Sequence, residues 1–154
     1  MNYIILFILK YILGYFLQDI VIVLGVYTFS KEKLDKRSFL LIIAMLLPTS
    51  IVIRMLPMSY GINILINVGM ILFATYKFCD VELYSIIRST LFSTLLVLIT
   101  ETFCFGMLLL LYGKANADAI LQEPILKASV YVPFNLMMGG IIYLCYRRMI
   151  KKYY

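Results

Sequence analysis

The chain has 154 residues, of which 64% are hydrophobic and 14% are charged, with a formal net charge of +6. Soluble domains are typically about 45–50% apolar and about 25% charged, so this composition excludes an ordinary soluble protein. Intrinsic disorder is excluded as well, because it requires low hydrophobicity and high charge. We therefore expect an integral membrane protein with an all-α fold, a single polytopic helical bundle over residues 1–154.

The composition lacks the residues that most enzyme active sites use. The chain has no histidine, which removes the commonest general base and metal ligand and any Cys-His or Ser-His nucleophile pair. Cys79, Cys104 and Cys145 lie far apart without a CxxC motif, which is not typical of a disulfide framework or a zinc site. An intramembrane aspartyl protease needs two aspartates, and only Asp19 lies inside an apolar stretch. No Gly-rich phosphate loop is present. We therefore expect no enzymatic activity, no metal and no cofactor.

Five stretches are predicted to cross the bilayer, whose apolar core, about 30 Å thick, takes about 20 helical residues. They are residues 3–29, 39–56, 62–78, 86–112 and 128–146. The first exceeds the core thickness at about 1.5 Å per residue, so we expect it to tilt. Four or six spans are the alternatives, if residues 113–127 dip into the membrane or if the first stretch only lies on its surface.

The connections between these stretches are short. Residues 31–37 form a charged loop, residues 57–61 a turn with Pro and Gly, and residues 79–82 a polar link. Residues 113–127 are predicted to form the longest loop. Because short links favour antiparallel neighbours, we expect a compact bundle.

The distribution of Lys and Arg predicts an orientation. If residues 31–37, residues 77–88 and the segment after residue 146 face one side, that side holds ten Lys and Arg residues and the other holds four. Cytoplasmic loops are enriched in Lys and Arg. We therefore expect a multi-pass protein of the cell membrane with its N-terminus outside and its C-terminus in the cytoplasm. The net positive charge then needs no nucleic-acid partner.

Four charged residues lie inside the apolar stretches: Lys10, Asp19, Arg54 and Glu101. Charges at membrane depth are rare and are candidates for function. One interpretation is a polar cavity, open to the outside and lined by Glu101, Asp19 and Arg54. The other is a set of buried pairs that fix helix packing, with Glu101 paired to Arg54 if the second and fourth spans are adjacent.

Uncharged polar residues suggest further contacts. Asn63 and Asn67 are four residues apart and share a face of the third span, where amides can hydrogen-bond to other helices or to a ligand. Ser89, Ser93 and Thr100 share a broad face of the fourth span. Small hydroxyl residues allow close helix approach, so packing is the favoured interpretation of this face.

Glycine and proline inside the spans suggest special backbone positions. Gly139 and Gly140 in the fifth span indicate a close contact or a flexible point. Pro48 and Pro133 remove backbone donors and are expected to kink their helices.

The segment from Val52 to Asn63 reads V-I-R-M-L-P-M-S-Y-G-I-N. It resembles the I-R-x-L-P-x-x-x-G-I turn in the membrane sensor domains of clostridial quorum-sensing-type histidine kinases, whose ATPase domain is of the GHKL class. The resemblance covers residues 39–113, and it implies a Leu/Ile-rich bundle with a mid-membrane acid in a later span, here Glu101. Those kinases continue into a dimerisation helix and an ATPase domain, so the resemblance implies the sensor part alone.

Two classes of function remain. The first is a sensor-like or regulatory module in the bilayer, which binds a peptide or lipid signal and contacts a membrane kinase or another membrane protein, with residues 147–152 as its cytoplasmic end. The second is a small transporter, channel or pore subunit, possible as a homo-oligomer, with a pathway around Glu101, Asp19 and Arg54.

Overall fold

The computed structural model describes residues 14–55, 60–122 and 124–153. Within these ranges the regular secondary structure is entirely helical. The helices are α1 (Gly14–Ser30), α2 (Lys36–Met55), α3 (Tyr60–Phe78), α4 (Leu83–Gln122) and α5 (Pro124–Tyr153). The prediction of an all-α fold is confirmed for this part of the chain.

Three helices contain stretches that are long and apolar enough to cross a membrane, judged by length and composition. These stretches are Lys36–Ile53, Gly61–Phe78 and Leu83–Lys114, and they coincide with the predicted second, third and fourth spans. The apolar part of α1, Phe16–Ser30, is shorter. Residues 3–13 of the predicted first span lie outside the described residues, and the predicted fifth span lies within α5.

The predicted long loop over residues 113–127 is wrong. α4 continues to Gln122 and α5 begins at Pro124. The helix is interrupted only at Gly113, whose φ of 74° and ψ of 166° a glycine adopts without a Cβ clash. The segment after Gly113 contains three alanines, the strongest helix former, so its polar residues do not prevent a helix.

The link between α1 and α2 is fixed by a cap at each end. After α1, Lys31 adopts a left-handed conformation with a φ of 60°, and the N–H of Glu32 donates to the carbonyl of Tyr27 at 3.1 Å. Before α2, the Asp35 carboxylate accepts from the backbone N–H of Ser38 at 2.9 Å and from its hydroxyl at 2.7 Å. Both contacts are standard ways to satisfy the groups left open at helix ends.

Helix α1 lies at the centre of the described bundle. It packs against α2, α4 and α5, while α3 packs against α2 and α4, and α4 packs against α5. Its buried side chains form much of the core, in a cluster that includes Val21, Ile22, Val23, Val26 and Tyr27. The predicted compact bundle is therefore found, and the tertiary structure adds that α1 is its central helix.

The surface of the bundle is apolar and part of its interior is polar. Large hydrophobic side chains of α3 and α4 are exposed, among them Leu65, Phe73, Leu95, Ile99 and Leu110. Buried polar side chains include Gln18, Asp19, Ser50, Ser89 and Ser93. Water would penalise so much exposed apolar surface, whereas lipid does not, so the distribution is typical of a helical bundle in a bilayer.

Three contacts bring the ends of α1, α3 and α5 to the same end of the bundle. At the end of α1, the Tyr27 hydroxyl lies 2.9 Å from the sulfur of Cys79, which follows α3. In the link after α1, the N–H of Leu34 donates to the hydroxyl of Tyr146 on α5 at 2.7 Å. In the same link, Lys31 Nζ lies 4.8 Å from the centre of the Tyr153 ring at the end of α5. We call this the basic end. It carries the ten Lys and Arg residues that the sequence grouped on one side: Lys31, Lys33, Lys36, Arg37, Lys77, Arg88, Arg147, Arg148, Lys151 and Lys152.

Candidate functional site

A cavity of about 200 Å³ lies between α1, α2, α3 and α4, in the half of the bundle away from the basic end. Its polar lining comes from all four helices and consists of Gln18, Ser50, Asn63, Asn67, Thr94 and Glu101. The remaining lining residues are apolar, among them Ile22, Ile71 and Val97. A ring of hydrogen-bonding groups on apolar walls is the usual composition of a small-molecule site.

Glu101 of α4 is held by a neighbour from α1. Gln18 Nε2 donates to Glu101 Oε1 at 3.0 Å, and Gln18 itself is only 9% exposed. A carboxylate at this depth is costly unless other groups hydrogen-bond to it, and the amide meets part of that need. The contact also orients the Glu101 side chain toward α1, across the wall of the cavity.

A chain of three side chains connects α1 with α3 through α2. The Ser50 hydroxyl lies 3.3 Å from Asp19 Oδ1 and 3.3 Å from Asn67 Oδ1. A hydroxyl has one proton, so it donates to one of these oxygens at a time. Asp19 is 1% exposed and lies behind the cavity wall, while Asn67 lines the cavity. The Ser50 hydroxyl therefore links the buried Asp19 to the cavity-lining Asn67.

Two polar atoms at the cavity lack a hydrogen-bond partner within the described ranges. They are Asn63 Oδ1 on α3 and Thr94 Oγ1 on α4, and both are inaccessible. An unsatisfied buried polar atom costs about 1–3 kcal/mol, and a space of this size is large enough for water or a small molecule. The Asn63 side-chain amide oxygen is an acceptor, and the Thr94 hydroxyl can both donate and accept a hydrogen bond.

The structure brings together three of the five candidate residues named from the sequence. Glu101, Asn63 and Asn67 line one cavity, and Asp19 lies one hydrogen bond away from it. The Arg54 side chain lies outside the part of the chain that the structure describes, so its pairing with Glu101 stays a prediction.

Lys10, the fourth charged residue in the predicted spans, also lies outside the described ranges. Sequence reasoning missed Ser50 and Thr94 and did not assign Gln18 to the site. Each of these three is a polar residue within an apolar run, which the sequence does show. The sequence does not show which faces of the three helices contact one another.

The predicted packing face of α4 is confirmed for Ser89 and Ser93, whereas Thr100 is half-buried. Ser89 and Ser93 are fully buried, and their hydroxyls donate back to carbonyls of their own helix, Ser89 to Ser85 at 2.7 Å and Ser93 to Ser89 at 2.8 Å. Because these hydroxyls are satisfied locally, they present a small surface to the neighbouring helix. For Ser93 the neighbouring residue is Gly25 of α1.

A second close contact joins α5 to α1. A Cβ atom on Gly139 would lie 3.1 Å from Cγ2 of Val21, whereas Gly140 has open space around it. The prediction of a close contact is therefore confirmed for Gly139. Pro48 and Pro133 both lie inside helices.

The described residues contain no group of three or more Cys, Asp or Glu side chains that could hold a metal ion. The three cysteines are free thiols.

Comparison with protein-family models, with curated proteins and with solved structures finds no match to this chain. Residues 56–59, which belong to the segment that resembles kinase sensor domains, lie outside the described residues, and the resemblance stays a prediction.

Proposed function

We propose that this chain is a multi-pass membrane module that binds a small polar signal in the cavity beside Glu101 and passes the binding event to a partner membrane protein, without catalysis of its own. The observation that carries the proposal is the cavity of about 200 Å³, polar on four helices, inside a bundle with an apolar exterior. A membrane kinase is the partner class that the sequence resemblance implies.

The proposed topology has five spans, with the basic end in the cytoplasm and the N-terminus outside. The exposed apolar side chains of α3 and α4 support immersion in lipid. The concentration of ten Lys and Arg residues at one end supports the orientation. In this topology the cavity lies in the outer half of the membrane, which is accessible to an extracellular signal.

The packing between the cavity and the basic end favours a binding site over a transport pathway. Between the cavity and the basic end lie Val23, Val26, Ile42, Leu46 and Ala74, each no more than 1% exposed. Ser89, Thr90 and Ser93 of α4 are also fully buried at this level, and an ion or polar solute would lose its hydration in crossing such a tightly packed layer. A transporter, channel or pore subunit would have to open this layer, so that function is the second candidate.

The experiment does not require the signal to be known beforehand. The full chain is purified in mild detergent from cells that express it, and the small molecules and peptides extracted from it are compared by mass spectrometry with those from Thr94→Leu, which fills the cavity. The matched control is Thr102→Leu, because Thr102 lies on the exposed face of the same helix. We expect a compound that is present with the wild type and the control and absent with Thr94→Leu.

The same three proteins in lipid vesicles test the second candidate. Flux of K⁺, Na⁺ or a radiolabelled amino acid through the wild type and its loss in Thr94→Leu would support a transport function and contradict the sensor proposal. The same set of extracted compounds from all three proteins would contradict a ligand site at this cavity.

A further inference from the structure

The basic end has a large excess of positive charge. Its ten Lys and Arg side chains are all exposed, and four acidic residues lie at the same end: Glu32, Asp35, Asp80 and Glu82. Several of the lysines lie over aromatic rings, as Lys77 does at 6.0 Å from the Phe73 ring and 5.8 Å from the Phe78 ring. This surface therefore favours an anionic partner.

Two of these cations converge on one ring. The Nζ atom of Lys31, in the link after α1, lies 4.8 Å from the centre of the Tyr153 ring, and that of Lys152 lies 5.6 Å from it. Lys31 and Tyr153 come from opposite parts of the chain, so only the tertiary structure brings them together. Two cations beside one ring attract an anion.

The position of Tyr153 is supported by a second contact on the same helix. Tyr146 lies two helical turns earlier, and its hydroxyl accepts the N–H of Leu34 at 2.7 Å, in the link that also carries Lys31. The end of α5 is thus attached to this link at two points. A group bound there meets side chains that are already in place, which lowers the entropy cost of binding.

The level of this site along the bundle favours a lipid headgroup as the anion. The exposed apolar faces of α3 and α4 extend toward the basic end, and exposed tyrosines, among them Tyr76, Tyr84 and Tyr143, lie near it. Tyrosine is enriched at the level of lipid headgroups, and clusters of Lys and Arg next to membrane spans attract anionic lipids. A lipid phosphate at that level would face Lys31 and Lys152.

We propose that Lys31, Tyr153 and Lys152 form a binding site for the phosphate headgroup of an anionic phospholipid of the cytoplasmic leaflet. The site is separate from the cavity, so it does not depend on the proposed signal binding. In this arrangement the lipid joins the α1–α2 link to the end of α5, the segment expected to contact a partner protein.

The test is titration of phosphatidylglycerol into the purified full chain in a neutral detergent, with phosphatidylcholine as the comparison, followed by native mass spectrometry at low ionic strength. The site variant is Lys31→Asn combined with Lys152→Gln, because Asn tolerates the positive φ at position 31. At roughly fivefold per charge, we expect about 25-fold weaker binding of phosphatidylglycerol.

The matched control is Lys36→Gln combined with Lys77→Gln, which removes two exposed lysines from the same end. Binding close to that of the wild type is expected for this control. Equal losses in the two variants would overturn the site, because they would show a diffuse charge effect. If the double site variant does not fold, Lys152→Gln alone replaces it, with about fivefold weakening expected.

Two further outcomes test whether the ligand at this site is an anionic lipid. Equal affinity of the wild type for phosphatidylcholine and phosphatidylglycerol would overturn the proposal. Displacement of the lipid by an equal concentration of soluble glycerol phosphate would assign the site to a free phosphate compound and overturn the lipid assignment.

Discussion

Gly25 of α1 lies directly against Ser93 of α4: a Cβ atom on Gly25 would be 2.5 Å from the Ser93 Oγ and 3.0 Å from its Cβ. This contact lies on the basic-end side of the cavity. It sets the distance between α1 and α4, the helices that carry Gln18 and Glu101, so the spacing at the site depends on the small size of both residues.

We expect Gly25→Ala to destabilise the bundle. Alanine gains up to about 1 kcal/mol in helix propensity, but overpacking costs about 1–3 kcal/mol. Ser93→Gly in the same chain should restore stability, because it removes both atoms that the new methyl group meets. Gly69→Ala is the control, since Gly69 has no atom within 4 Å of the added carbon. Thermal unfolding in detergent measures all four proteins, and a stable Gly25→Ala single mutant would disprove the close contact.

The hydrogen bond between Gln18 and Glu101 predicts energetic coupling. Gln18→Leu and Glu101→Leu should each lower stability, and the double mutant should lose less than the sum by about 1 kcal/mol, the scale of interhelical hydrogen bonds in membranes. Stability measured in detergent for the complete cycle gives this value. Strict additivity would mean that the 3.0 Å contact does not contribute in solution.

The predicted pairing of Arg54 with Glu101 is tested by a second cycle. If the two side chains form a structural pair, Glu101→Gln should lower stability, because Arg54 loses its partner, and Arg54→Met should partly restore it. If they instead contribute to a ligand site, Glu101→Gln should remain folded and lose only bound ligand. The thermal midpoints of the two single mutants and the double mutant separate these cases, and additive effects would show that the residues do not interact.

Asp35 predicts a pH dependence of stability at the start of α2. Its hydrogen bonds from the hydroxyl and the backbone N–H of Ser38 lower the pKa of its carboxyl in the folded state. The stabilisation is therefore present above the ordinary carboxyl pKa of about 3.9 and is lost as the pH falls through the lower folded-state value. Asp35→Ala should unfold at a lower temperature than the wild type at pH 7, and the difference should shrink toward pH 3. The difference is expected to be small, because the carboxylate is exposed.

Asp35→Ser is the control for this prediction, because serine also caps helices but does not titrate in this range. It should retain most of the stability at pH 7. A gap between Asp35→Ala and the wild type that stays constant from pH 7 to pH 3 would exclude the charged cap as its cause.

The orientation of the bundle is tested by reporter fusions. A reporter after Tyr154 and one in the link at Lys33 should both report the cytoplasm. A reporter inserted at Gly113, where α4 is already interrupted, should report the outside. The same location for the Tyr154 and Gly113 reporters would end the five-span topology.

Much of the fold could be predicted from the sequence because it depends on local properties. Apolar length placed α2, α3 and the first part of α4 within a few residues of their observed bounds. The small residues Ser89 and Ser93 indicated a packing face, since residues four apart share one side of a helix. The segment 113–127 was assigned wrongly because polar composition suggested a loop, whereas helix propensity decided its structure.

The site depended on tertiary structure, because the sequence does not encode which helix faces meet. It identified Glu101, Asp19, Asn63 and Asn67 as unusual at membrane depth, but only the bundle places Gln18 beside Glu101 and Ser50 between two helices. The convergence of Lys31 and Lys152 on Tyr153 has the same origin. A charge or amide in an apolar run signals a cost that some neighbour must offset, and the identity of that neighbour is set by the packing of helices distant in the chain.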